Sequence, residues 1–102
     1  MSETCTVLVL IKMKPEHRQE LFDMMKTQED GVAHTRKHEG CISIEGRLST
    51  DDDETIAIWE KWTSKEAHID YVTKRAVSGF FDKWADKISG PTVSMYLSND
   101  SF

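Results

Sequence analysis

The 102-residue chain is sparing with the residues that staple or punctuate small folds, having two cysteines, two prolines and five glycines. Cys5 and Cys41 stand near the starts of two different predicted strands, and neither belongs to a Cys-x-x-Cys pair. That excludes a disulfide scaffold and a zinc ribbon and predicts free thiols. A nucleophilic Cys41 activated by the nearby His38 is the functional alternative to a buried structural thiol. Positive charge is scarce as well. Thirteen Lys and Arg against eighteen Asp and Glu give a formal net charge of -5, with no basic patch interleaved with aromatics, so nucleic acid is not an expected partner. No apolar run approaches the roughly 20 residues of a membrane span, and Met1 to Met13 lacks the basic start and small-residue cleavage site of a secretory signal. A cytoplasmic protein without a membrane partner is expected. Repeats, linkers and low-complexity stretches are missing, and the length suits a single domain over 1–102, with its core over about 4–97 and a polar tail over 98–102.

What the chain does have is period. Thr4 to Met13 is β-branched and apolar enough for a strand, with Val7, Val9 and Ile11 on one face and Leu8 and Leu10 on the other. One layer of helices covers only one face, so the second predicts a homodimer whose sheets pack back to back. Pro15 suits a first helical position, and Leu21, Phe22, Met24, Met25, Val32 and Ala33 continue as an apolar stripe. Asp30-Gly31 weakens this long helix and predicts a bend, and Gly40 ends it. Cys41 to Leu48 alternates, which predicts Ile42, Ile44 and Leu48 on one face and Ser43, Glu45 and Arg47 on the other. A polar turn over Ser49 to Glu54 leads to a third strand, Thr55 to Trp62, with Ile56, Ile58, Glu60 and Trp62 opposite Trp59. Thr63-Ser64-Lys65-Glu66 fits a capping box with Thr63 as the cap of a short helix. After Thr73 a second helical stretch is expected to place Val77, Phe80, Phe81, Trp84 and Ile88 on one face, stopped by Gly90-Pro91. Val93, Met95 and Leu97 mark the last strand. The order strand, helix, strand, strand, helix, strand is the βαββαβ plan of a ferredoxin-like α+β domain, an antiparallel sheet with helices on one face.

Three segments carry a resemblance: Lys14-Pro15 opening the first helix, His38-Glu39-Gly40-Cys41 entering the second strand, and Glu60-Lys61-Trp62-Thr63-Ser64-Lys65-Glu66-Ala67 crossing from third strand to helix. Together they resemble the antibiotic biosynthesis monooxygenase family of dimeric α+β barrel proteins, from about Thr6 to Leu97. The Glu-x-Trp-x-Ser-x-Glu-Ala run is the most specific of them. The resemblance implies a homodimer, a pocket between the helices and the concave side of the sheet, and oxidation of anthrones or quinols by molecular oxygen without metal or flavin. Such chemistry needs a base, a dry aromatic pocket and a group that steadies the substrate anion.

Candidates for these roles are few. His68 lies six residues after Trp62, where anthrone oxygenases of the family carry a pocket tyrosine, and an imidazole suits proton transfer. Its bland reading is a surface histidine. Relatives more often carry a histidine nine residues after the tryptophan, where this chain has Tyr71, a hydrogen-bond donor but a poorer base. Trp62 is either a flat wall for a planar substrate or a core aromatic. Glu60, on an apolar face, must be paired or protonated, and Arg47 or a dimer partner are the obvious counter-ions. Phe81 completes the expected substrate pocket, although its spacing also fits plain helix packing. His34 and His38 are four apart, yet Thr35 stands where a zinc peptidase needs Glu, so they read as helix-end imidazoles and no metal is expected. His17 reads as an exposed first-turn residue. Asp51 to Glu54 lacks the glycine and spaced ligands of a calcium loop and reads as a solvated turn. Haem-degrading relatives depend on an asparagine, a tryptophan and an axial histidine. Here the tryptophan position falls on Tyr71, the axial position falls near Phe81, and the first strand has no asparagine, so haem is not an expected cofactor. The expected function is a cofactor-independent monooxygenase acting on a small aromatic phenol, anthrone or quinol. An isomerase or degrading enzyme for a small signal molecule, and a non-catalytic ligand-binding dimer, are the alternatives.

Overall fold

β1 (Cys5–Lys12) and β3 (Thr55–Trp62) lie at the centre of the sheet in the computed structural model, which describes residues 4–102. They pair antiparallel along their whole length, from Cys5 opposite Trp62 to Lys12 opposite Thr55. β2 (Cys41–Leu48) flanks β3 and β4 (Val93–Leu97) flanks β1, giving the order β2-β3-β1-β4 of a ferredoxin-like α+β fold. Residues opposed across an antiparallel ladder share a face, so the register sorts the sheet. The inner face carries Val7, Val9, Ile11, Ile56, Ile58, Glu60 and Trp62. Two helices cover it: α1 (Pro15–Thr27) seals Met13, Ile44, Ile56 and Ile58 with Leu21, and α3 (Lys65–Val77) sets Ala67 and Tyr71 over Cys5, Val7 and Trp62. The outer face stacks Leu8, Trp59 and Met95 in one row and Leu10, Ala57 and Val93 in the next. Trp59 is 47% exposed and Met95 49%. No helix of the described residues is long and apolar enough to cross a membrane.

Five expectations about local structure are corrected. The first helix does not merely bend: α1 stops at Thr27, the chain kinks within Glu29–Ala33, and α2 (His34–Lys37) is a single further turn. Gly31 leaves helical geometry at φ -90 and ψ -134, and a side chain there would run into the backbone of Met24 and Met25. The helical segment then ends at Lys37 rather than Gly40, with His38 already extended. Gly40 has a different task. Its φ of 97 is a conformation that suits glycine, and a Cβ there would lie 2.6 Å from the Cβ of Ala67, so its bareness lets α3 close onto the β2 entrance.

A bulge between Cys41 and Ser43 breaks the alternation of β2. Ile42 is the extra residue and is exposed, while Cys41 and Ile44 both reach the inner face. The cap of α3 is Ser64, whose hydroxyl accepts the Ala67 N–H at 3.1 Å. With the cap one residue later than Thr63, Glu66 falls short of the capping-box position and acts only as a first-turn acid. Finally, α3 runs unbroken to Val77, and the stretch beyond makes only a 3-10 turn over Phe81–Trp84. The change of helix type ends the common face, so Val77 and Phe81 are both exposed. The acidic turn is a brace: Asp52 accepts the N–H groups of Glu54 and Thr55, and Arg18 of α1 donates to the carbonyls of Ser49, Asp52 and Thr55.

Candidate active site

The last inward positions of β3 start the site. Glu60 and Trp62 are two apart on one strand, so both point under α3, and the Trp62 indole N–H donates to Glu60 Oε1 at 2.9 Å. His68, one turn into α3, lies over them, with its Nε2 3.7 Å from Glu60 Oε1. Its other nitrogen, Nδ1, is 2.8 Å from the hydroxyl of Tyr96, which β4 sends inward between Met95 and Leu97. Glu60 is 5% exposed and His68 3%. Rings enclose them: Trp62 meets His68 edge-on at 5.3 Å and Tyr71 tilted at 5.1 Å, and His38 approaches Trp62 at 5.8 Å and Tyr71 at 5.3 Å between centroids.

Burial sets the charges here. It pushes the Glu60 carboxyl above its ordinary range, a rise only partly offset by the Trp62 hydrogen bond. It pushes the His68 imidazole below its ordinary range. Both shifts favour neutral forms, so burial works against an ion pair across the 3.7 Å approach. Burial, followed by the charges of Cys5 and Glu60, raises the Tyr96 phenol, and burial is also the main cause of the raised Cys5 and Cys41 thiols.

Tyr71 belongs to a second network. Its oxygen accepts from Arg75 Nε at 2.9 Å and lies 2.6 Å from Thr35 Oγ1. Arg75 is buried and also donates to Asp30 at 3.2 Å and to the Gly31 carbonyl at 3.1 Å. Beside this network opens a cleft of about 290 Å³, lined by His34 and His38 on one side and by Tyr71, Lys74 and Arg75 on the other. His38 Nδ1 is 3.0 Å from the Glu39 carbonyl and Nε2 3.3 Å from Asp70.

Four of the expected site residues, Glu60, Trp62, His68 and Tyr71, therefore gather at one end of α3. Phe81 does not join them. It is 47% exposed and its ring packs edge-on against Phe80, because the 3-10 turn aims it away. Arg47 does not pair with Glu60 either: it lies on the outer face, 3.8 Å from Glu45. The sequence missed Tyr96, Thr35 and Arg75 and gave His38 as a helix-end imidazole or an activator of Cys41. The alternation that sent Val93, Met95 and Leu97 outward also sent Tyr96 inward, and Arg75 stands four residues after Tyr71 on the same helical face.

A carboxyl whose folded pKa is raised costs stability as pH climbs from its unfolded value of about 4.3, whereas glutamine bears no such cost. Glu60→Gln keeps an oxygen for the Trp62 N–H. The variant and its parent are expected to melt together below about pH 4, and the variant to melt higher at pH 7 by roughly 4–8 °C for each kcal/mol relieved. His68 works in the opposite sense, its contribution being lost as pH falls through about 6.5 and below. Melting curves of both proteins from pH 4 to 8 check this, and coincident curves throughout would show that Glu60 bears no desolvation cost.

The fold and this enclosed site define a small ferredoxin-like protein with a buried carboxyl–imidazole pair under its second long helix. The sequence profile described as antibiotic biosynthesis monooxygenase matches residues 4–83, and the chain belongs to that family. Among curated proteins no sequence matches. Solved structures do. A Pseudomonas aeruginosa protein, PA3566, superposes with a TM-score of 0.79 at 18% identity, covering 99% of this chain and 98% of its own. A Streptomyces coelicolor monooxygenase from the gene ActVA-Orf6, in complex with nanaomycin D, superposes with a TM-score of 0.73 at 13% identity, covering 99% and 90%. SnoaB, a cofactor-independent oxygenase from Streptomyces nogalater, gives a TM-score of 0.72 at 10% identity, covering 99% and 97%. Identities this low establish a common fold.

Proposed function

We propose that the protein is a homodimeric, cofactor-independent monooxygenase of the cytoplasm that oxidises a small aromatic phenol, anthrone or quinol with molecular oxygen. The observation that carries the reading is the buried Glu60–His68 pair, held towards neutrality beneath the rings of Trp62 and Tyr71. Family membership and the oxygenases among the structural neighbours support it. A neutral imidazole accepts the proton of an electron-rich substrate, and the Glu60 carboxyl 3.7 Å from its Nε2 holds the ring in place. The substrate anion passes one electron to oxygen, the two radicals combine in a new C–O bond, and the peroxide takes the proton back. For an anthrone-type CH₂ the peroxide then loses water, leaving one oxygen atom on carbon as a ketone. Trp62 and Tyr71 offer planar rings beside the pair.

Oxygen uptake by chelator-treated protein against a panel of anthrones and quinols tests the reading. Uptake above the autoxidation rate supports it, and its absence across the panel shifts the assignment to an isomerase or a ligand-binding dimer. The dimer rests on the outer row of half-buried Leu8 and exposed Trp59 and Met95, a surface a second copy would bury. Trp59→Glu sets an unpaired carboxylate in that row and is expected to yield a monomer by analytical ultracentrifugation. A variant that sediments as a dimer would place the interface elsewhere.

A further inference from the structure

Glu60 and His68 are two buried titratable groups, and a buried group that exchanges a proton needs a path for it. Glu60 Oε1 accepts from Trp62, whose side chain is fully buried, so that direction is closed. His68 is faced edge-on by Trp62, and Tyr71, one turn along the same helix, has its hydroxyl engaged by Thr35 and Arg75. The remaining neighbour is Tyr96. Its oxygen is 2.8 Å from His68 Nδ1, the residue is 38% exposed on the edge strand β4, and Lys65 Nζ sits 4.6 Å from the centre of its ring. Tyr96, His68 and Glu60 thus stand in the order hydroxyl, imidazole, carboxyl, with an exposed member at the hydroxyl end.

We propose that Tyr96 is the outer member of a proton relay that connects the buried Glu60–His68 pair to solvent at the β4 edge. The step conserves protons and involves no redox change. His68 Nδ1–H passes its proton to the Tyr96 oxygen as the phenolic proton leaves for water, and the reverse pair of transfers recharges the imidazole. The two transfers are concerted, because a free phenolate is disfavoured where burial, Cys5 and Glu60 all raise the phenol. Lys65 is the cation that faces it, and its charge favours the moment of partial phenolate character. Tyr96 is therefore a positioning and relay residue acting through His68. The inference rests on the proposed oxygenase reading only for its effect on turnover.

Tyr96→Phe keeps the ring and removes the relay oxygen. The decisive readout is exchange of the His68 ring N–H with water, followed by nitrogen-15 NMR on the full chain, which needs no substrate. Exchange is expected to slow by roughly tenfold or more in the variant, as positioned proton transfer contributes about 10²- to 10⁴-fold. In an oxygenase, uptake falls in the same variant with substrate KM unchanged, most steeply in weak buffer. Unchanged ring exchange overturns the relay whatever happens to turnover, and a loss of uptake with unchanged exchange would assign Tyr96 to substrate contact instead. A parent protein with no uptake but a slowed exchange in Tyr96→Phe sinks the oxygenase reading and leaves the relay standing.

Discussion

Oxygen uptake is expected to fall by roughly 10²- to 10⁴-fold when His68 is replaced by alanine, the usual contribution of a positioned general base. Burial already holds this imidazole in the form that accepts a proton. Without it, Glu60 keeps only its indole partner and is too strongly desolvated to serve as the carboxylate in its place. The walls made by Trp62 and Tyr71 remain, so binding should persist: kcat collapses and KM stays within a few-fold. Free imidazole offers a control that a merely structural residue would not pass. The alanine variant leaves a hole lined by Trp62, Tyr96 and Glu60. Imidazole entering that hole is expected to restore part of the rate, saturably and with a dependence on its own neutral form. Unaltered uptake in the variant would remove His68 from the mechanism.

Arg75→Ala is expected to cost about 3 kcal/mol of stability, near the lower end of the loss caused by removing one partner from a buried charge network. A surface ion pair is worth far less, and the difference lies in what this guanidinium reaches. From α3 it satisfies the Tyr71 oxygen, the Gly31 carbonyl and Asp30, and its carbon lies 4.0 Å from the centre of the Phe80 ring. It therefore ties three segments together: the break after α1, the helix that carries the site, and the turn beyond that helix. Asp30 is half exposed and has Lys83 3.4 Å away, so it tolerates the loss; the Gly31 carbonyl and the Tyr71 oxygen do not. Arg75→Lys should recover only a fraction, because an ammonium cannot fork to all of these acceptors. Urea unfolding of the three proteins measures it. A cost below about 1 kcal/mol would mean that water replaces the guanidinium.

The sequence carried the order of elements along the chain, both central strands face by face, and the gathering of Glu60, Trp62, His68 and Tyr71. Period two is robust wherever a strand is long and pairs on both sides, as β1 and β3 do. It fails where one residue is inserted, and nothing in Cys41-Ile42-Ser43 marks Ile42 as the extra one. The helical errors share a cause. A glycine between acidic and apolar residues predicts weakness at Gly31, but whether the chain bends or breaks depends on the backbone it meets, here that of Met24 and Met25. Arg75 and Thr35 were hidden for a different reason. Forty residues apart, they meet only once α2 and α3 are packed, and a polar residue on a helix gives no sign of such a meeting. Tyr96 was within reach, since the parity that exposed Met95 also turned its neighbour inward.

Cys5 and Cys41 face Trp62 from the two strands beside it, so two sulfurs sit at the edge of the centre proposed for oxygen chemistry. Burial holds both as thiols rather than thiolates. Since the thiolate is the form that oxidants attack, both sulfurs tolerate that position through packing alone. They supply bulk and polarisable contact around the indole in the protonated form that oxidants attack least.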